Sequence, residues 1–167
     1  MINFYKNVLP LDFFNKFTNH INDNLNQSTW TSSLFWKKPL TKNSVPVIIK
    51  KIDDPELLNT IITSFIKLNK KHKRYKYEQV LFYIWPSFSY INWHDDHSWD
   101  IASSIYINEH WDINDGGLFL YKHKGENKFY CPEFNTCVVN QNHLSHATTM
   151  IVPNAPHRLS IQIFGKK

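Results

Sequence analysis

Apolar positions recur at two different intervals along this chain, and the change from one to the other divides it. In residues 10–25 the side chains Phe13, Phe14, Phe17, Ile21 and Leu25 return every three to four positions, the spacing that lines one face of a helix. Pro10 suits the first turn, where a missing N–H costs nothing. A second helix is predicted in "IDDPELLNTIITSFIKLN" (52–69). Asp53 or Asp54 can cap it, Pro55 and Glu56 fit its first turn, and Leu57, Leu58, Ile61, Ile62 and Phe65 form its apolar face.

From residue 77 the interval shortens to two. "YEQVLFYIW", "SYINWH", "IASSIYIN", "GLFLYK", "KFYC", "TCVVN", "TTMIV" and "RLSIQIF" follow one another, rich in β-branched and aromatic residues and mostly separated by turn formers. Eight short strands after two helices argue against alternating strand–helix units. They predict a mainly β fold, a sandwich or barrel with the helices packed on one sheet. No repeat, low-complexity tract or linker interrupts the pattern. The expectation is a single domain over residues 1–167, with helical support over about 1–76 and a β core over about 77–165.

Composition narrows the class. Hydrophobic residues make up 42% and aromatic residues 16%, enough to exclude a disordered chain and to expect a core or pocket built from rings. The net charge of +5 comes almost entirely from lysine, because the chain holds only two arginines, Arg74 and Arg158. The basic run "KLNKKHKRYKYEQ" (67–79) reads as a solvated helix end, with a nucleic-acid patch as the alternative. Cys131 and Cys137 form no CxxC pair and no disulfide framework. The first residues lack the pattern of a secretory leader, and no apolar stretch is long enough to span a membrane. A reduced, cytoplasmic protein is expected.

One segment breaks the surface-or-core rule. "WHDDHSWD" (93–100) sets two histidines and three acidic residues between two tryptophans. If it is extended, His94 and Asp96 face the same way and Asp95 faces the other. An imidazole and a carboxylate so placed, with a second histidine, suit a first-row divalent metal. His157 sits beside Arg158, and His123 lies in the Lys-rich turn "YKHKGENK". Of the histidines in the C-terminal half (His110, His123, His143, His146 and His157), His143 or His146, just before "ATTMIV", is the candidate for the third ligand. An HxD pair alone arises often by chance, so a second feature is needed. In "HRLSIQIF", Arg158, Ser160 and Gln162 alternate with Leu159, Ile161 and Ile163. A guanidinium on a polar strand face calls for a carboxylate, held through paired hydrogen bonds. An internal Asp or Glu would serve; beside an HxD, a bound acid fits better.

In order along the chain, "HDD" (94–96), "GG" (116–117) and "HATTMIVPNAPHRLSIQIF" (146–164) resemble the 2-oxoglutarate and Fe(II)-dependent oxygenase superfamily, and within it the prolyl-4-hydroxylase-like group. The resemblance covers roughly residues 77–165. It implies a double-stranded β-helix, or jelly roll, with iron held by His94, Asp96 and His146. The 12-residue separation of His146 from Arg158 fits the family's pattern better than the 15 residues from His143. Arg158 would bind the distal carboxylate of 2-oxoglutarate, with Tyr83, Tyr106 and Ser160 as further co-substrate contacts. Fe(II), 2-oxoglutarate and O2 are the implied cofactors, with ascorbate as an accompanying reductant. The implied reaction hydroxylates a C–H bond of a prolyl residue or free proline and releases succinate and carbon dioxide. Peptide, protein or small amino-acid substrates are expected, and an acidic peptide would suit the positive charge.

Two departures stand beside the match. Asp95 and His97 flank the HxD, which leaves another ligand set conceivable. A second arginine after Arg158, usual in the nucleic-acid dealkylating branch, is missing, which counts against a nucleic-acid substrate. The rival readings are a cupin-like module that holds metal without turnover and a nucleic-acid-binding protein; the first leaves Arg158 without a role. Substrate choice is expected to lie in loops such as "TWTSSLFWKKPLTKNS" (29–44).

Overall fold

Two antiparallel sheets face one another across the molecule, and two helices cover the back of the larger one. The computed structural model describes residues 2–23, 31–32 and 40–167. Leu25 and residues 33–39 of the tryptophan-bearing segment lie outside the described residues. The elements run β1 (Ile2–Lys6), α1 (Leu11–Asp23), β2 (Thr31–Ser32), β3 (Ile48–Lys51), α2 (Pro55–Leu68), β4 (Lys76–Trp85), β5 (Ile91–His94), β6 (Ile101–Tyr106), β7 (Phe119–His123), β8 (Glu126–Tyr130), β9 (Thr136–Gln141), β10 (His146–Thr148) and β11 (Arg158–Lys166). The major sheet has the order β1-β9-β6-β11-β4-β3-β2, and the minor sheet β5-β10-β7-β8. This is a jelly roll.

The helices begin and pack as their sequences dictate. Asp54 caps α2 by accepting from the Leu57 amide at 2.9 Å, and Pro55 fills its first turn. Leu57, Ile61 and Phe65 of α2 join Phe13 and Phe17 of α1 against Phe82, Ile105, Val139, Ile161 and Ile163 on the sheet. Each such buried side chain contributes about 1.5–3 kcal/mol. Because residues alternate along β11, burying Leu159, Ile161 and Ile163 against the helices turns Arg158, Ser160 and Gln162 toward the minor sheet.

The structure adds strands the residue pattern did not announce. The first 76 residues carry β1 and β3 as well as the helices, and these extend the major sheet from either side. "TTMIV" was expected to be a strand. The strand is instead His146–Thr148, and the residues after it bond to separate loops: Thr149 to Leu118, Ile151 to Ser89 and Val152 to Asp115. Among the described residues, no helix is long and apolar enough to cross a membrane.

His72, in the turn of 3-10 helix at Lys70–Arg74, is fully buried against the Phe65 ring, 4.6 Å between centroids. Its Nδ1 lies 3.0 Å from the Phe65 carbonyl, while Nε2 has no partner. Burial holds the imidazole below its ordinary value, and the Arg74 charge adds to this against the opposing Phe65 hydrogen bond. The unfolded chain therefore takes up a proton at higher pH than the folded one. His72's contribution to stability is complete above about pH 6.5 and is lost as pH falls toward the folded-state value. Urea midpoints measured from pH 7.5 to 5 should fall more steeply for the native chain than for His72→Gln, by at most about 1.4 kcal/mol per pH unit.

Candidate functional site

The cavity between the sheets is walled by the polar face of β11 and its neighbours and by the inner face of the minor sheet. His94 ends β5 and His146 opens β10, and the two are directly opposed in the ladder. Their rings lie 4.1 Å apart. Asp96 is two residues beyond the end of β5, in a turn where its φ is 52°. The chain is thus not extended through the HxD, as the alternation argument supposed; a left-handed turn swings the carboxylate back. One Asp96 oxygen lies 3.5 Å from His94 Nε2 and the other 3.3 Å from His146 Nε2.

Both histidines are oriented by the same local device. His94 Nδ1 lies 2.8 Å from the Asn92 carbonyl and His146 Nδ1 lies 2.9 Å from that of Leu144, in each case two residues upstream. A carbonyl can only accept, so each Nδ1 carries a proton and each ring turns its Nε2 toward Asp96. The side-chain donors of His94, Asp96 and His146 all lie within 4.8 Å of one another, and this is the only such cluster among the described residues. Burial would raise the Asp96 carboxyl, but the hydrogen bond and charge of His146, then the charges of His94 and His143, hold it below the ordinary range. Burial, then the neighbouring His146, pushes the His94 imidazole down, against the pull of Asp96. Two imidazoles and a carboxylate are a donor set that suits a divalent first-row metal. His143 is not in this cluster, and His97 instead pairs with Asp95 at 3.2 Å on the surface.

The second half of the cavity is built around Arg158. It is 1% exposed, its guanidinium 4.9 Å from the centre of the Trp85 ring and 5.0 Å from that of Tyr106. Nε and Nη1 have no hydrogen-bond partner, and no carboxylate of the chain pairs with it among the described residues. The Tyr106 hydroxyl is likewise without a partner, and burial pushes it up to about 12 despite the adjacent Arg158 charge. Tyr83 lines the cavity beside Trp85, its hydroxyl raised by burial and by the Asp96 charge. Ser160 accepts from Trp85 Nε1 at 3.3 Å and from Gln162 Nε2 at 3.0 Å. With both lone pairs engaged, its own proton is left to donate. The GG pair serves this packing: Gly117 has φ 61°, and a Cβ there would lie 2.9 Å from Arg158 Cδ.

The cavity holds about 70 Å³, roughly five times what one water needs, so a small acid fits. His94, Asp96, His146, Arg158 and Tyr83 all line it; Ser160 and Tyr106 are not among the lining residues and lie behind it, against Trp85 and Arg158. No family model matches the chain, and none of the curated proteins does. Solved structures do match. A prolyl-4-hydroxylase from Pseudomonas putida superposes with a TM-score of 0.77 at 15% identity, over 99% of this chain and 92% of that one. A Trichoplax adhaerens prolyl hydroxylase, in complex with a hypoxia inducible factor oxygen degradation domain peptide fragment, gives 0.75 at 14% identity, over 98% and 82%. The viral collagen prolyl hydroxylase of Paramecium Bursaria Chlorella virus-1, in its 2-oxoglutarate complex, gives 0.67 at 11%, over 98% and 94%. The chain has the prolyl hydroxylase fold.

Within this prolyl hydroxylase fold, one site residue escaped the sequence reading. Asn140, on β9, donates to the Leu144 carbonyl at 2.9 Å and accepts from the Leu144 amide at 3.3 Å, closing the turn through the left-handed residues Asn142 and His143. Its amide nitrogen lies 3.1 Å from His146 Nδ1, two donors sharing one carbonyl. In sequence it is one asparagine among many; only the turn reveals it. Asn140→Ala should leave the carbonyl that orients His146 loose and weaken Mn(II) binding by about 10- to 100-fold, measured by calorimetry on protein shown to unfold cooperatively.

Proposed function

We propose that this protein is an Fe(II)- and 2-oxoglutarate-dependent dioxygenase that hydroxylates a C–H bond, of a prolyl residue or free proline. The observation that carries this reading is one cavity holding both a His94–Asp96–His146 donor cluster and a buried arginine with two unpartnered N–H groups. A structural metal explains only the first. An unpaired buried guanidinium costs several kcal/mol, and its missing partner has the shape and charge of a carboxylate. The Trichoplax structure, with its bound peptide, supports a peptide substrate.

His94 and His146 offer Nε2 and Asp96 its carboxylate to Fe(II). Iron held by these three residues would supply oxidative decarboxylation chemistry, coupling O2 and 2-oxoglutarate to hydroxylation with one oxygen atom going to succinate, the other to the product hydroxyl, and carbon dioxide released. Arg158 would take the distal carboxylate of 2-oxoglutarate on its guanidinium, with the Tyr106 hydroxyl and Ser160 as further donors to the co-substrate. The Trp85 and Tyr106 rings keep water from the guanidinium and strengthen its pull on the anion. Tyr83 lines the wall on the Asp96 side.

Anaerobic calorimetry with Mn(II) tests the co-substrate site. Arg158→Gln should lower 2-oxoglutarate affinity by a factor of about tens to thousands while Mn(II) binds as before. Arg158→Lys should fall between, keeping the charge and losing the two-pronged geometry. Equal binding by native and Arg158→Gln protein would refute the assignment. Asp96→Ala should abolish succinate formation. With Fe(II), ascorbate and candidate peptides, mass spectrometry should find one added oxygen on proline; addition only to another residue type or to a nucleobase would reject the substrate class.

A further inference from the structure

The polar face of β11 does not stop at the cavity. Beyond Gln162 it presents Phe164, which lines the cavity, and then Lys166 at the exposed end of the strand. Trp99, from the turn that carries Asp96, packs on Phe164 with ring centres 5.5 Å apart. The Lys166 ammonium lies 5.1 Å from the centre of the Trp99 ring. Lys76 of β4 stands directly across the ladder from Lys166. Like charges so opposed destabilise a sheet; Glu78 lies 3.9 Å from Lys166, and Asp100, beside Trp99, accepts from the Lys167 amide at 2.8 Å. The adjoining residues 67–75 add Lys67, Lys70, Lys71, Lys73 and Arg74. From Gln162 to Lys166 is about 13 Å, the reach of roughly four extended residues.

Resting on the oxygenase reading above, we propose that Trp99, Phe164, Lys166 and Lys76 form a ledge that binds an acidic side chain of a polypeptide substrate, three or four residues from the residue in the cavity. A free amino acid in the cavity does not reach this ledge. Carboxylates bridging Lys76 and Lys166 relieve the opposed charges. A polypeptide fits better than a nucleic acid, because the Trp99 ring is already engaged by Lys166 and Phe164 and offers no open platform for a base.

Two fluorescein-labelled peptides, each with a central proline flanked on both sides by glutamates or by glutamines, provide the test. Anisotropy is read at low salt on the full chain with Mn(II) and 2-oxoglutarate. The glutamate peptide should bind about fivefold more tightly or better, and salt should erase the difference. The exposed pair of changes Lys166→Gln and Lys76→Gln should remove the preference and leave the glutamine peptide's affinity unchanged. Equal binding of the two peptides, binding of neither, or a preference that survives the double change overturns the ledge. An oligothymidylate that binds more tightly than the glutamate peptide and depends on Lys166 assigns the surface to nucleic acid and also overturns it. Affinity for 2-oxoglutarate on the same samples separates the two readings: intact co-substrate binding without acidic preference removes the ledge alone, and absent co-substrate binding removes the oxygenase reading.

Discussion

A guanidinium sealed between two aromatic rings is the constraint around which this molecule is arranged. Arg158 begins β11, the strand that pairs with both β4 and β6, so the charge sits inside the major sheet and not at its edge. The two ring contacts soften the cost of burial without cancelling it, because they satisfy none of the N–H groups. Nothing in the described chain supplies the missing acceptor. The fold therefore holds a positive charge in wait, and the opposite face of the same strand provides the stability that makes this tolerable, with Ile161 and Ile163 fully buried under the helices.

The side of the cavity that carries the His94–Asp96–His146 cluster depends on the other sheet. His94 and His146 are brought opposite each other by the short pairing of β5 with β10, and each ring is turned by the carbonyl two residues before it. Both histidines stand at strand ends, His94 closing β5 and His146 opening β10. Asp96 completes the set through a left-handed backbone conformation, with φ at 52°, that few non-glycine residues adopt. Neither sheet alone makes the cavity. Its two halves meet only when the sheets close, so the chemistry is tied to the fold as a whole.

Legibility in the sequence follows the range of the interactions. The cap of α2, the helical faces and the alternation of β11 are local and were readable. The jelly roll came from ordered motifs, and the structures that share it are no more than 15% identical to this chain in the three comparisons above, so the pattern of burial persists where identities do not. The edge strand β1 is short and has one mixed face, so "INFYK" carries no period to read. "TTMIV" has strand composition, yet its backbone groups are claimed by three different loops, a fact no propensity contains. The pairing of His94 with Asp96 was anticipated from extended alternation and arises from a turn instead. His146 stands apart from His143 because it pairs with His94 across the ladder, which is a long-range fact.

Fold alone leaves the reaction open, since one jelly roll serves many chemistries. What narrows it here is how β11 distributes charge along its length. Arg158 lies at the buried end, Gln162 on the cavity wall and Lys166 at the exposed rim, all on one face by the period of two. The span from first to last is about 26 Å. The buried end uses arginine, whose planar fork holds a small carboxylate in one orientation and whose charge survives desolvation. The rim uses lysine, a hydrated point charge on a flexible stem, suited to groups that arrive in varied geometry. A site that must fix one co-substrate rigidly and admit the varied flanks of a longer chain would place these two residue types at these two ends. The interior arginine is fixed by packing, whereas Lys166 at the rim is held only by the Trp99 ring and by Glu78 at 3.9 Å, so the rim can vary without disturbing the buried end of the strand.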